Sequence, residues 1–204
     1  MITQTATRTY TPEEYLILEE QSETRNEYHD GEIVPMSGGT VNHNSIIVNL
    51  VAFLKFAFRG QNKSLFTSDV RLWIPESNRY TYPDVQIICG EVAYHENRKD
   101  TIINPTVIIE VLSQSTEAYD KGDKFKYYRS IPSFQEYIII NQYQCEVEQY
   151  VKTENNKWLV SYLESEEAVL SLNSVEFEIS LRDIYEGVEF ESVEIEENLE
   201  STED

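Results

Sequence analysis

Two carboxylates stand where the chain otherwise reads as buried strand. Glu110 interrupts the β-branched, apolar run from Thr106 to Leu112, which opens after Asn104-Pro105 and closes at Ser113-Gln114-Ser115. Asp84 directly follows Pro83 and leads into Val85-Gln86-Ile87-Ile88. A carboxylate in such a strand is costly to bury unless a cation pairs with it. Side by side, Asp84 and Glu110 could hold a divalent metal through hard oxygen ligands, with the Val111 backbone carbonyl beside them. The same residues fit a second arrangement, in which Asp84 caps a turn and Glu110 closes a strand end in a salt bridge.

More candidates follow Glu110. Ser113 comes first, then Asp120, Lys124 and Tyr128 at successive steps of four, a spacing that places all three on one face of a helix. Asp120 and Lys124 also fit an ordinary surface ion pair, and Tyr128 fits a packing role. His43, at the start of a long helix, could contact a phosphate or orient a water; capping and packing are the other roles open to it.

These residues need elements to position them. Thr11-Pro12-Glu13-Glu14 reads as a helix start, with Thr at the N-cap and Glu three residues on. Asn26 to Val34 reads as a hairpin turning at Asp30-Gly31. Ile46, Ile47, Leu50, Val51, Leu54 and Phe58 recur at helical spacing, which predicts a helix over 42–59 stopped by Gly60. Ser64 to Ile74 reads as one strand, and 90–104 as a polar loop with room for a short helix. A helix is expected over 116–129, ended by Ile131-Pro132. Strands are expected at 134–140, 146–151, 158–163, 169–172 and 175–179, with a last helical turn at 180–185. The result is one α/β domain, with a mixed central sheet flanked by helices.

The 204 residues suffice for one sizeable core, and 40% hydrophobic with 26% charged residues is ordinary for a globular chain. No apolar run approaches the ~20 residues of a membrane helix, and the first residues lack the pattern of a signal peptide. Cys89 and Cys145 lie in separate segments, as in a reduced cytoplasmic protein. The net charge is −21, and nine of the 37 acids fall between Glu186 and Asp204, where there is no Lys or Arg. Residues 1–9 are expected to be flexible, 10–187 to form the folded domain, and 188–204 to be an acidic, disordered tail. So acidic a surface excludes strong non-specific attraction to nucleic acid, though not a local basic groove.

Tyr82-Pro83-Asp84, Ile109-Glu110-Val111-Leu112-Ser113, Asp120-x-x-x-Lys124-x-x-x-Tyr128 and Glu136-Tyr137, taken in order, resemble the Uma family of restriction endonucleases within the PD-(D/E)XK nuclease superfamily. Glu27-Tyr28-His29-Asp30-Gly31-Glu32, Met36 and His43 extend the resemblance, which covers roughly residues 10 to 187. It implies a restriction-endonuclease-like fold and Mg²⁺-dependent phosphodiester hydrolysis, with Mn²⁺ as a substitute. Nucleic acid, DNA above all, would be the substrate, and the protein would act as a homodimer. It also implies Asp84 and Glu110 as metal ligands and Glu27 as an accessory acid. One departure stands out: the superfamily's lysine belongs two residues after Glu110, where this chain has Leu112. Lys124 is the candidate to replace it. The alternative is a catalytically inactive binding or assembly module that keeps the fold.

Overall fold

A computed structural model describes residues 8–113 and 117–190. The chain runs α1 (Pro12–Glu19), β1 (Asn26–His29), β2 (Glu32–Pro35), α2 (Val41–Ala57), β3 (Lys63–Thr67), β4 (Arg71–Ile74), β5 (Arg79–Thr81), β6 (Val85–Cys89), β7 (Thr101–Ile102) and β8 (Val107–Val111). A single helical stretch follows, built of α3 (Glu117–Tyr119), a π turn (Asp120–Lys124) and α4 (Phe125–Tyr128). Then come β9 (Glu136–Ile140), β10 (Val147–Lys152), β11 (Trp158–Leu163), β12 (Val169–Leu172), β13 (Phe177–Ser180) and α5 (Leu181–Ile184).

The local rules act as the sequence suggests. Thr11 and Glu14 form a reciprocal capping box at α1, with Pro12 in its first turn. Thr40 caps α2 by accepting from the His43 amide at 3.1 Å. The β1–β2 hairpin turns at Asp30 (φ 47°) and Gly31 (φ 103°), and only a residue tolerant of positive φ fits the second of these positions.

Six strands form the main sheet in the order β11-β10-β9-β8-β6-β3, all antiparallel except the β8–β9 pair. That one parallel pair requires a crossover, and the stretch 117–128 lies within it. The period of two then sorts the faces. Val107, Ile109 and Val111 pack with Ile138 and Ile140 against Ile46, Leu50 and Leu54 of α2. Ile108 and Leu112 point the other way, into a cluster with Tyr128, Phe134, Tyr137, Leu72 and Ile74. Each such fully buried aliphatic side chain contributes about 1.5–3 kcal/mol. Glu110 shares the face of Ile108 and Leu112, so its carboxylate is directed towards the 117–128 helix.

Several expectations need correction. Residues 64–74 make two strands in different sheets: the chain turns at Thr67, whose carbonyl accepts from the Val70 amide at 3.0 Å. Thus β4 joins a second sheet, ordered β2-β1-β5-β4-β7. The 90–104 segment carries no helix; it carries β7, which pairs in parallel with β4. The 117–128 helix is not uniformly α. The packed body also runs past residue 187, since Val188 joins the main core and the Phe190 ring meets Tyr185 at 5.4 Å. Residues 1–7 and 191–204, on which most of the two expected flexible ends fall, lie outside the described residues. Both cysteines are free. Among the described residues no helix is long and apolar enough to cross a membrane.

Candidate active site

Asp84 lies just before β6, and Glu110 lies one residue from the end of β8, its antiparallel neighbour. The two are locked together through the backbone. The Asp84 amide donates to Glu110 Oε2 at 3.2 Å, and the Val111 amide donates to Asp84 Oδ2 at 2.8 Å. The expected pairing of acids on adjoining strands is therefore present. Of the second arrangement the salt bridge of Glu110 is present, while the amide that Asp84 accepts belongs to the neighbouring strand and not to a turn.

Lys124 supplies that salt bridge. Its Nζ lies 3.1 Å from Glu110 Oε1 and 2.9 Å from Asp120 Oδ1. Tyr128 donates its hydroxyl to the same Glu110 oxygen at 2.7 Å. The helix face expected to carry Asp120, Lys124 and Tyr128 is turned inward, and all three are buried. Asp120 and Lys124 are thus no surface pair, and Tyr128 both packs and bonds. Leu112 is 2% exposed within the apolar cluster, so position 112 serves the core and the cation comes from the helix above it.

The π turn contributes to this placement. A π turn inserts one residue and re-aims the side chains on either side of it. Here it spans Asp120 to Lys124, with Lys124 directed at Glu110 and Asp120 directed at the Lys124 ammonium. The Tyr137 hydroxyl from β9 donates to the Asp120 carbonyl at 3.1 Å, which ties the turn to the sheet.

His43 meets the site from the first turn of α2. Its Nε2 lies 3.2 Å from Asp84 Oδ2. Burial favours a neutral ring, but the hydrogen bond and charge of Asp84, helped by Asp120, raise its pKa above the ordinary value. Glu27 arrives from β1. The Tyr82 amide donates to it at 3.2 Å, the Thr81 hydroxyl donates to the same oxygen, and His29 Nε2 lies 2.7 Å from the other. Burial alone would raise the Glu27 pKa. The His29 bond, the Lys124 charge and the Thr81 bond outweigh it and hold the carboxyl down at about 2.

Glu27, His29, His43, Asp84, Glu110, Asp120 and Lys124 line one cleft of about 480 Å³, together with Ser113, Tyr82, Tyr119 and the loop from Met36 to Gly39. His29 was not among the sequence candidates. Two positions after Glu27 on one strand, it necessarily shares that residue's face, and this is the signal that could have found it. Tyr119, tilted against the His29 ring at 5.6 Å, carried no such signal.

The electrostatics favour a cation. Four carboxylates, those of Glu27, Asp84, Glu110 and Asp120, face the single lysine. Burial raises the Glu110 pKa, the Asp84 and Asp120 charges raise it further, and Lys124 and Tyr128 only partly offset this. Burial works against the Lys124 charge, yet Glu110, Glu27 and Asp120 together keep its proton bound well above the usual range. A doubly positive ion would relieve the surplus. Among the described residues no three His, Cys, Asp or Glu side chains are grouped to hold a metal unaided. Mg²⁺ suits such a place, because it takes one or two carboxylates and keeps several waters.

Comparisons with known proteins bear on the family and the fold. The model of a family described as "Uma2: Putative restriction endonuclease" matches residues 12–182. Two proteins of Synechocystis sp. (strain ATCC 27184 / PCC 6803 / Kazusa) are similar along most of their length. Uncharacterized protein sll1609 is 39% identical over 173 residues, 85% of this chain and 98% of the relative. Uncharacterized protein slr1290 is 35% identical over 181 residues, 88% of this chain and 93% of the relative. A crystal structure described as "a putative nuclease belonging to DUF820", from Anabaena variabilis ATCC 29413, superposes with a TM-score of 0.71 at 18% identity. The match covers 86% of this chain and 97% of that one. The fold is accordingly the mixed α/β, restriction-endonuclease-like one expected from the sequence.

Proposed function

The chain belongs to the Uma2 family, and from that premise we propose that it is a metal-dependent endonuclease that hydrolyses phosphodiester bonds of DNA. The observation that carries the reading is the meeting of Asp84, Glu110 and Lys124 at one end of the β6–β8 pair, inside an open cleft. Asp84 and Glu110 would hold Mg²⁺, or Mn²⁺ in its place, with waters and substrate completing the shell. When bound, the ion polarises the phosphate and lowers the pKa of a water.

The chain's own groups do the rest. Lys124 places a fixed positive charge beside Glu110, where charge builds on the phosphorus centre, and Asp120 holds the ammonium in place. Tyr128 fixes the rotamer of the Glu110 carboxylate. His43 orients Asp84 and can take up or return a proton at the mouth of the site. Glu27, kept ionised by His29, adds negative charge on the far wall and can position a water there. Cutting both strands of a duplex calls for two such clefts, and a two-fold homodimer would supply them.

An inactive nuclease-fold binding module is the second reading, and Leu112 at the usual lysine position favours it. The test is cleavage of supercoiled plasmid, linear duplex and RNA in Mg²⁺ or Mn²⁺, set beside Asp84→Ala. The enzyme reading expects metal-dependent cleavage of DNA by the wild type and none by Asp84→Ala. Absence of cleavage by the wild type under every condition would leave the binding module.

A further inference from the structure

A second pocket, of about 460 Å³, lies beside the turn of the β1–β2 hairpin, where Asp30 lines it. We propose that this pocket, built around Ser77, Arg79, Lys126 and Tyr127, binds phosphate, and that it holds a backbone phosphate of the nucleic acid lying in the neighbouring cleft. Naming the ligand as a nucleic-acid phosphate rests on the nuclease reading; the preference for phosphate does not.

Arg79 carries the argument. Its guanidinium lies 4.1 Å from the centre of the Tyr127 ring, and Nη2 donates to the Tyr127 hydroxyl at 3.2 Å. Nε and Nη1 are covered by protein and have no acceptor, and Arg79 forms no ion pair among the described residues. Ser77 Oγ beside it is likewise buried without a partner. Buried donors of a charged group are costly to leave unpaired, so native structures provide them with a ligand or water.

The surroundings select the ligand. Lys126 adds a second positive charge, and Asn78 and Ser130 add polar groups. The two acids of the pocket, Asp30 and Glu76, weigh against an anion. Asp30 is already tied to the Asn78 amide at 2.8 Å, and Glu76 is exposed. The Nε–Nη2 edge of a guanidinium presents two parallel donors that match two oxygens of one phosphate, a geometry that a lysine cannot reproduce. Rotation about the last bonds of Arg79 would present that edge to the pocket, at the cost of the Tyr127 hydrogen bond and the contact with its ring.

The position fits the backbone of a bound strand. Arg79 is the direct cross-strand partner of His29, which lines the cleft and contacts Glu27. The pocket is therefore one strand removed from the catalytic wall. A phosphate contact there fixes register without reading sequence.

The experiment measures binding of a labelled DNA duplex in EDTA, as a function of salt, for the wild type, Arg79→Met, Arg79→Lys and Lys126→Met. Arg79→Met should weaken binding about tenfold or more, the scale for losing a hydrogen bond to a charged group. Its slope of log affinity against log salt should fall by about 1, the signature of one lost phosphate contact. Arg79→Lys should keep the slope and lose part of the affinity. Lys126 is exposed, so Lys126→Met gives a reading even where Arg79→Met fails to fold, and it too should lower the slope. Unchanged affinity and slope in a folded Arg79→Met protein, or in Lys126→Met when that variant does not fold, would overturn the proposal. If the wild type binds no duplex without metal, the nucleic-acid part of the proposal fails, and inorganic phosphate alone decides. A melting temperature raised by phosphate over chloride at equal ionic strength, and not raised in Lys126→Met, would uphold the site; no rise in the wild type would reject it.

Discussion

Among individual residues, Glu110 and Lys124 were the most legible, each for a physical reason. A charged residue inside an apolar strand has to be matched, so Glu110 announced itself. Lys124 followed from Leu112, because a missing charge must come from the next element and a spacing of four names the helix face. His29 was legible only through its alternation with Glu27. Arg79 was not legible, since its lack of an acceptor depends on which strands meet. Glu27 gives a prediction at this scale. Its pKa lies at about 2 in the folded protein against 4.5 for the free group. A depressed carboxylate pKa stabilises the fold above the unfolded value, and that contribution disappears as pH falls through the folded value. At about 1.4 kcal/mol per unit, Glu27 should contribute about 3 kcal/mol near pH 6 and roughly 2 kcal/mol less near pH 3. Urea unfolding of the wild type and Glu27→Gln checks this: their difference should shrink as the pH is lowered across that window. An equal difference at both ends would mean that Glu27 is not held ionised by His29 and Thr81.

Among elements, the strands of the main sheet and the helix over 41–57 followed from periodicity and caps, because burial on a sheet face or a helix stripe writes itself into the sequence. The π turn did not, for a helix with one extra residue keeps nearly the same apolar spacing. The division of 63–74 into two sheets was hidden as well: β3 is half-buried throughout and β4 is buried at all but Trp73, so neither shows a period of two that would mark the break. If the π turn aims Asp120 and Lys124 together, deleting Gly122 from it should let the stretch close as an ordinary α-helix. The residues before it would then rotate by about 100° relative to Lys124. Helix content by circular dichroism should persist while cleavage drops by ~10²-fold, the scale for misplacing a catalytic group by about 1 Å. A deletion variant that cuts at the wild-type rate would show that the π turn has no part in aligning the site.

At the scale of the whole molecule, the two sheets and the 117–128 helix converge on one cleft, and the acids they bring leave it short of positive charge. Under the proposed function, its working depends on Lys124 supplying the charge that Leu112 cannot. Lys124→Met keeps most of the stem and removes the charge, so the most direct measurement is single-turnover cleavage of duplex DNA in Mg²⁺ by the wild type and Lys124→Met, with melting temperatures taken on both. The account predicts a loss of at least ~10²-fold in the cleavage rate, the scale for removing one preorganised group that stabilises developing charge, in a protein that still melts cooperatively. A folded Lys124→Met protein cutting at the wild-type rate, while Asp84→Ala cuts nothing, would contradict it.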